Sequence, residues 1–304
     1  MTIEVSLRGR GRIANHLADG VKAQCDMLLL PSSEPCGTTA SNSGSGGATR
    51  VSVEVKGLTV RITEDGRSPG ACHEQRCAVF TSLTPESIRN GPGGLFVPSA
   101  DSLSLARLVR VVNALSAVER VYSTVVRRAA HAADDAASSL DALQPVFEEP
   151  ALEDELRTTL AGCVPMCQIR RVVASYTHSH LHMIKLDLVD SIDRETLIDR
   201  LHDESRILVS TSDDGFSSTA DIQEFFRDLG RVRGDRWETF VWAESILVDQ
   251  KCVYLMQDIS PDVIVVPEVI DAIRLIAAPE LSLAEIRRLT DRHLGMLETL
   301  SIVK

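Results

Sequence analysis

The sequence predicts a two-domain chain of α/β plus α+β class, with alternating strands and helices first and a sheet dressed with helices second. Three observations predict it. A strand, a glycine turn and a helix follow one another at the N-terminus, and a doubly capped helix with a hairpin-like pair of strands lies within residues 210–274. The 304 residues, 44% of them hydrophobic, are enough for two modest cores. A formal net charge of −11 argues against nucleic acid and anionic membrane surfaces as partners. Neither a charged-then-apolar leader nor a membrane-length apolar run is present, so a soluble, cytoplasmic protein without a membrane span is expected. Seven cysteines, an odd count in a chain of this kind, favour free thiols over a disulfide framework.

Taken in order, Ile3-Glu4-Val5-Ser6-Leu7 alternates apolar and polar residues as a strand does, and a helix is expected through Leu17 and Val21. Between them lies Gly9-Arg10-Gly11-Arg12-Ile13-Ala14. G-x-G-x-x-A after a strand and before a helix is the dinucleotide-binding fingerprint, in which small residues let a pyrophosphate approach the positive end of the helix. Gly9, Arg10, Gly11, Arg12, Ile13 and Ala14 are therefore the candidate cofactor-binding residues. Arg8, Arg10 and Arg12 add positive charge there, and two readings stand: an anion or nucleotide cradle, or a turn with solvated arginines. Met27 to Leu30 reads as a second strand. Residues 32–50 are nearly all Ser, Gly, Thr, Ala and Asn, a composition that buries too little apolar surface to order itself, so a flexible loop is expected. Val51 to Val55, Leu58 to Ile62 and Cys77 to Thr81 read as short strands.

Farther on, Ser191 or Asp193 caps a helix through Leu197, Ile198 and Leu201, and Arg206 to Ser210 is a strand. Ser218 and Asp221 form a capping box ahead of Ile222, Phe225, Phe226 and Leu229, with Gly230 where a helix C-terminal glycine belongs. Glu238 to Val248 and Cys252 to Gln257 are β-branched and aromatic runs joined by Asp249-Gln250-Lys251, a hairpin signal. Pro267 opens a helix to Ala277, and Ser282 with Glu285 makes a second capping box before Ile286, Leu289 and Leu297.

Several of these stretches carry a resemblance. Asp214 to Ile222 matches D-G-x-x-S-T-A-x-I, Gly230 to Asp235 matches G-R-x-R-x-D, Trp242 to Ile246 matches W-x-E-S-I, Tyr254 to Gln257 matches Y-x-M-Q, and Val266 to Arg274 matches V-P-E-x-x-D-A-x-R. In that order they resemble the C-terminal half of the archaeal, type II glyceraldehyde-3-phosphate dehydrogenases. The resemblance implies a Rossmann-like nucleotide-binding domain over residues 1–97, a catalytic-type domain over 98–262 with an antiparallel sheet covered by helices, and C-terminal helices over 263–304 that pack back on the first domain. It also implies NADP or NAD as cofactor and a homo-oligomer, tetramer or dimer, assembled through that sheet, with an active paralogue as a further candidate partner.

The departures from the family bear on chemistry. Gly91-Pro92-Gly93-Gly94 stands where relatives have a further helix and strand, so the nucleotide domain is expected to be truncated. Val125 to Arg128 resembles the family's V-x-V-R-R strand, and Arg107 falls on the Arg after S-C-N-T-T-G-L-x. Counting back places Ser99 on the Ser, Ala100 on the nucleophilic Cys, Asp101 on the Asn and Ser104 on the Gly. Oxidation in the family needs a thiolate to add to the aldehyde, and a methyl group offers none. The phosphate-gripping G-P-I-N and S-H-H-G elements are missing. An acidic stretch with Asp134, Asp135, Asp141, Glu148, Glu149, Glu153, Asp154 and Glu155 lies there instead, a solvated helix face that would repel a phosphate dianion. Ser260 to Ile264 replaces the H-Q-E-S-D near the nicotinamide, so the cofactor is either kept or lost.

One family element persists: Thr177-His178-Ser179-His180 aligns with M-H-x-H, which makes His178 and His180 candidates for the remnant general base. At strand spacing His178, His180 and His182 would share a face, suited to a proton relay or to zinc with Cys163 and Cys167. C-x-x-x-C with H-x-H-x-H fits no usual ligand spacing, so no metal is expected. The sequence thus leaves two functions: a non-catalytic homologue kept for assembly or binding, or an NAD(P)-dependent oxidoreductase with an altered substrate.

Overall fold

A computed structural model describes residues 2–9, 12–30, 51–62, 76–77, 95–128, 142–148, 150–160, 162–176, 178–231, 234 and 236–300. The chain divides into two compact units, residues 1–99 with 265–296, and residues 100–264 with 297–304. The expected loop over 32–50, the shortened stretch around Gly91 and the expected strand from Cys77 to Thr81 beyond its first residue lie outside the described residues.

In the first unit β1 (Ile3–Arg8), α1 (Arg12–Lys22) and β2 (Met27–Leu29) form a β-α-β unit whose strands pair in parallel. Alternation in β1 buries Ile3, Val5 and Leu7. The sheet then departs from a purely parallel one. β3 (Val51–Val55) lies antiparallel beside β1 and turns tightly into β4 (Leu58–Ile62). The two turn residues make this possible: Lys56 at φ 49° and Gly57 at φ 79° give the left-handed turn that matches strand twist. β6 (Leu95–Val97) returns parallel to both β4 and β5 (Arg76–Cys77), giving the order β2-β1-β3-β4-β6-β5. The described part of this sheet is mixed.

Against the sheet lies α6 (Val266–Ala277), buried at each of its residues, the charged Glu268, Asp271 and Arg274 included, with Pro267 in its first turn as expected. α1 and α7 (Leu283–Leu294) pack on α6. Ser282 and Glu285 close the capping box that opens α7, and Gly295 ends it in the left-handed conformation.

The second unit holds an eight-stranded sheet in the order β11-β12-β14-β10-β7-β9-β8, with β13 on β14. The strands are β7 (Val118–Arg128), β8 (Leu143–Val146), β9 (Met166–Ala174), β10 (His180–Leu188), β11 (Ile207–Ser210), β12 (Thr239–Trp242), β13 (Leu247–Asp249) and β14 (Cys252–Ile259). Its helices are α2 (Ala100–Asn113), α3 (Pro150–Thr159), α4 (Arg194–His202) and α5 (Thr219–Asp228). The expectation of an antiparallel sheet is corrected at two places: β7 pairs with β9 in parallel, and β11 with β12. In each case a helix, α3 or α5, lies between the two strands in sequence, and a helical crossover is what returns a chain in the same direction.

The expected run from Glu238 to Val248 also breaks. A 3-10 turn at Ala243–Ser245 separates β12 from β13 because the side chains there bond to the backbone rather than leaving it to a ladder. Ser245 Oγ donates to Trp242 O at 2.7 Å and accepts from Met256 N at 2.9 Å, and Arg194 holds the carbonyls of Ala243 and Ile246. Both ends of α5 are as expected. Ser218 and Asp221 cap its start, and at its end the Gly230 and Arg231 amides reach back to Arg227 O and Phe226 O. Its buried Ile222 and Phe226 join Leu208 and Phe240, with Phe216, Phe225 and Trp242 around them. Asp193, not Ser191, caps α4.

Candidate functional site

Strand parity builds the site. β10 lies between β7 and β14, and its even-numbered residues from His180 to Leu188 point into the unit. His180 stands opposite Arg127 of β7, and His182 stands opposite Gln257 of β14, all on the same face. The first turn of α2, which packs on β7, brings Asp101 onto these groups. His180 donates from Nδ1 to Asp101 Oδ1 at 2.7 Å, His182 donates from Nε2 to the same oxygen at 3.1 Å, and Arg127 Nε lies 3.0 Å from Oδ2. Gln257 Nε2 donates to His182 Nδ1 at 3.0 Å. Ser104, one turn along α2, donates its hydroxyl to Asp101 O at 3.0 Å.

These partners fix both imidazole tautomers. His182 is protonated on Nε2, and His180 on Nδ1, which leaves His180 Nε2 as an acceptor. Asp101 and His182 are buried, and the His180 side chain is only 6% exposed. Burial works to raise the Asp101 carboxyl, but the charges of His180 and Arg127 and the two imidazole hydrogen bonds outweigh it, holding the group well below the usual carboxylate range. Burial likewise pulls His180 below the ordinary histidine value, only partly offset by Asp101. Asp101 is therefore held as a carboxylate beside a guanidinium and two hydrogen-bonding imidazoles, while burial disfavours the cation at His180.

The three sequence candidates fall differently. Ala100 is the first residue of α2, immediately before Asp101. His180 is in the cluster. His178 is exposed and precedes β10, so it does not share the inward face with His180 and His182: the strand ladder begins only at His180. The alternative of zinc shared by the histidines with Cys163 and Cys167 is not assembled by the fold. Cys163 is exposed, Cys167 sits in β9 opposite Val121, and the donors that gather, among the described residues, are Asp101, His180 and His182. In that group both imidazole N–H groups bond to Oδ1 and Arg127 supplies the countercharge, which makes a hydrogen-bonded triad. Two thiols of this unit are poor nucleophiles: burial pushes Cys167 up to about 11, and Cys252 donates to Asp187 at 3.3 Å.

The remaining motif positions serve the fold. Arg107 is buried and donates to the carbonyls of Trp237 and Ile264, each at 3.1 Å. Asp262, in the segment that replaces H-Q-E-S-D, accepts from Arg128 at 2.6 Å. In the acidic stretch Glu153 accepts from Ile169 N at 2.8 Å and Asp154 pairs with Arg157, whereas Asp134, Asp135, Asp141 and Glu149 lie outside the described residues.

Of the candidate nucleotide turn, Arg10 and Gly11 lie outside the described residues. Gly9 has φ 126°, a conformation that suits glycine, and Ala14 is fully buried, which fits the small-residue turn a dinucleotide needs. Arg12 and Ile13 open α1, and Arg8 pairs with Glu54 at 3.3 Å across β1 and β3.

The two units, each a mixed sheet with flanking helices and the first opening on a β-α-β unit, define an α/β fold that solved semialdehyde dehydrogenases share. Among solved structures, aspartate semialdehyde dehydrogenase II from Vibrio cholerae, complexed with ASA, matches over 91% of this chain and 98% of its own, with a TM-score of 0.62 at 12% identity. Among curated proteins the chain is similar to the glyceraldehyde-3-phosphate dehydrogenases of Hyperthermus butylicus, 34% identical over 72% of this chain, and Aeropyrum pernix, 33% identical over 73%. The matched stretches span 64% and 65% of those relatives, just under two thirds of their length. No protein-family model matches the chain. No helix among the described residues is long and apolar enough to cross a membrane.

Proposed function

We propose that this chain is a divergent member of the archaeal glyceraldehyde-3-phosphate dehydrogenase family, cytoplasmic, without thiol-dependent aldehyde oxidation, and kept for assembly or binding. One observation carries the reading. At the start of α2 the position aligned with the family's nucleophile is Ala100, and the next residue, Asp101, spends its carboxylate on His180, His182 and Arg127. A methyl group cannot add to an aldehyde, and the described cysteines belong to other places in the chain. The segments aligned with the phosphate and nicotinamide contacts support it, since Asp262 and Glu153 serve internal pairs.

For assembly, the outward face of β7, β10 and β14 is the support. Met183, Tyr254 and Met256 are exposed there, and Tyr122, Lys185 and Ser245 help line a groove of about 420 Å³. We assign that face to a second copy of the chain or to an active paralogue.

A second reading is favoured by the triad itself. A neutral, buried His180 oriented through Nδ1 by a carboxylate is how a proton acceptor is built, and it would serve an NAD(P)-dependent oxidoreductase with a different substrate. If a nucleotide is bound, Gly9 to Ala14 would hold it, and the nicotinamide would supply the redox chemistry.

Calorimetric titration with NADP and then NAD separates the two. The first reading expects no micromolar binding by the folded protein; such binding would favour the second. Ala100→Cys then probes how much else is lost. The variant is expected to stay inactive on glyceraldehyde 3-phosphate, and robust oxidation would overturn the claim that the phosphate and nicotinamide contacts are gone.

A further inference from the structure

We infer that the first unit carries a surface site for a thiophilic divalent cation of the zinc type, formed by Cys25, His293 and Asp26. The ligand atoms of these residues lie within 4.8 Å of one another, Cys25 being exposed and the other two partly buried. Cys25 and Asp26 follow α1, and His293 stands in the last turn of α7. The sequence separates them by more than 260 positions, and only the packing of α1 and α7 against α6 brings them together.

The histidine is set up to donate to a metal. Buried Gln24 holds its Oε1 3.1 Å from His293 Nδ1, and Gln24 is itself anchored, accepting from Arg274 at 2.7 Å and donating from Nε2 to Gly20 O at 3.2 Å. Arg274 also brings a guanidinium nitrogen to 3.3 Å from Nδ1, but Gln24 Oε1 is the closer partner and the one that can accept, and with Nδ1–H on Gln24 the Nε2 lone pair faces Cys25 Sγ at 3.4 Å. This is the outer-sphere arrangement that orients metal-bound imidazoles. In a tetrahedral site with Zn–S of about 2.3 Å and Zn–N of about 2.0 Å, sulfur and nitrogen are about 3.5 Å apart, so the pair needs little movement to share an ion.

Charge decides the expected affinity. Arg274 binds both Asp26 oxygens, at 2.7 and 3.1 Å, and largely cancels that carboxylate. The thiolate and imidazole therefore do most of the holding, with Asp26 as a weaker third ligand. The partial negative charge at the C-terminal end of α7 also favours a cation at His293. Three ligands at a surface leave a coordination position to water, which points to micromolar, exchangeable binding and not to a closed structural centre. Loading releases the Cys25 proton, and nothing is oxidised or reduced.

The test uses the full chain and cobalt(II) as the probe. One equivalent is expected to produce a sulfur-to-cobalt charge-transfer band in the near ultraviolet, and zinc is expected to displace it. Cys25→Ser, at an exposed position that leaves the core alone, should abolish the band and weaken zinc binding at least tenfold. Cys163→Ser, which removes another exposed thiol, should change neither. A wild-type protein that gives no band, or a band that survives in Cys25→Ser, overturns the site. Zinc should also slow alkylation of Cys25 by iodoacetamide, and unaltered alkylation under saturating zinc would overturn it equally.

Discussion

At the residue scale the behaviour of the candidate site follows from a single buried carboxylate. Asp101 is ionised because Arg127 and two N–H groups stabilise its charge more than burial opposes it. His180 is neutral because burial disfavours its cation. A histidine whose folded value is lowered binds fewer protons than it does in the unfolded chain, where 6.5 applies. Between that value and the lower folded one the unfolded state takes up the proton, so stability rises with pH through this window and is lost as pH falls through it. Asp101 adds nothing to this slope, because its own loss lies farther down, below the usual carboxylate range. Urea midpoints measured from about pH 8 to about pH 5 should therefore decline below neutrality, and His180→Gln should flatten the decline. An unchanged slope in the variant would mean that His180 is not the group being protonated.

At the element scale much of the fold was legible and some was not, for identifiable reasons. The capping boxes at Ser218 and Ser282, the glycine end at Gly230 and the proline start at Pro267 are local chemistry, complete within a few residues, and the structure has each of them. The broken β12–β13 run was not legible, because what breaks it is Arg194, about fifty residues away in sequence, bonding the carbonyls of Ala243 and Ile246. The parallel pairings of β9 and β12 depend on where crossovers return, which strand periodicity does not encode. Of the site, His180 and Ala100 could be found by motif. His182 was legible from its strand spacing to His180, whereas Arg127 and Gln257, although inside matched motifs, required the register that sets them across from the two histidines.

Helix packing in the first unit makes a prediction of its own. A Cβ on Gly20 of α1 would meet Val266 Cγ1 of α6 at 2.6 Å and Ile270 Cδ1 at 3.4 Å. Gly20→Ala should cost about 1–3 kcal/mol through overpacking, despite the better helix propensity of alanine. Thermal unfolding of this variant, alone and with Val266→Ala, checks the cause. The second substitution should recover part of the loss, and no recovery would place the strain elsewhere.

At the scale of the whole molecule, each unit has an interior built for packing, while one large face of the second unit is not closed off by its own helices. On that face Met183 lies beside Thr124 and Met256, and Lys185 lies over the rings of Tyr122 and Tyr254 at 5.0 and 5.9 Å. Lys185 also pairs with Asp187 at 2.6 Å, so the stripe presents methionine and aromatic surface with its charge already balanced. A contiguous apolar patch on a sheet is what an interface uses, and aromatic and methionine side chains are enriched at interface centres. If the proposed assembly uses this face, Met183→Glu combined with Met256→Glu should shift the sedimenting species to monomer at micromolar concentration. Both positions are exposed, 38% and 42%, so each substitution alone should change unfolding free energy by no more than about 0.5 kcal/mol, cross-strand repulsion should add a cost of about the same size in the pair, and the monomer should stay folded. Two like charges on paired positions of β10 and β14, brought against the same pair in a second copy, would be buried without partners, which is far costlier than their exposure in the monomer. A double variant that sediments as the wild type does would remove this face from the assembly.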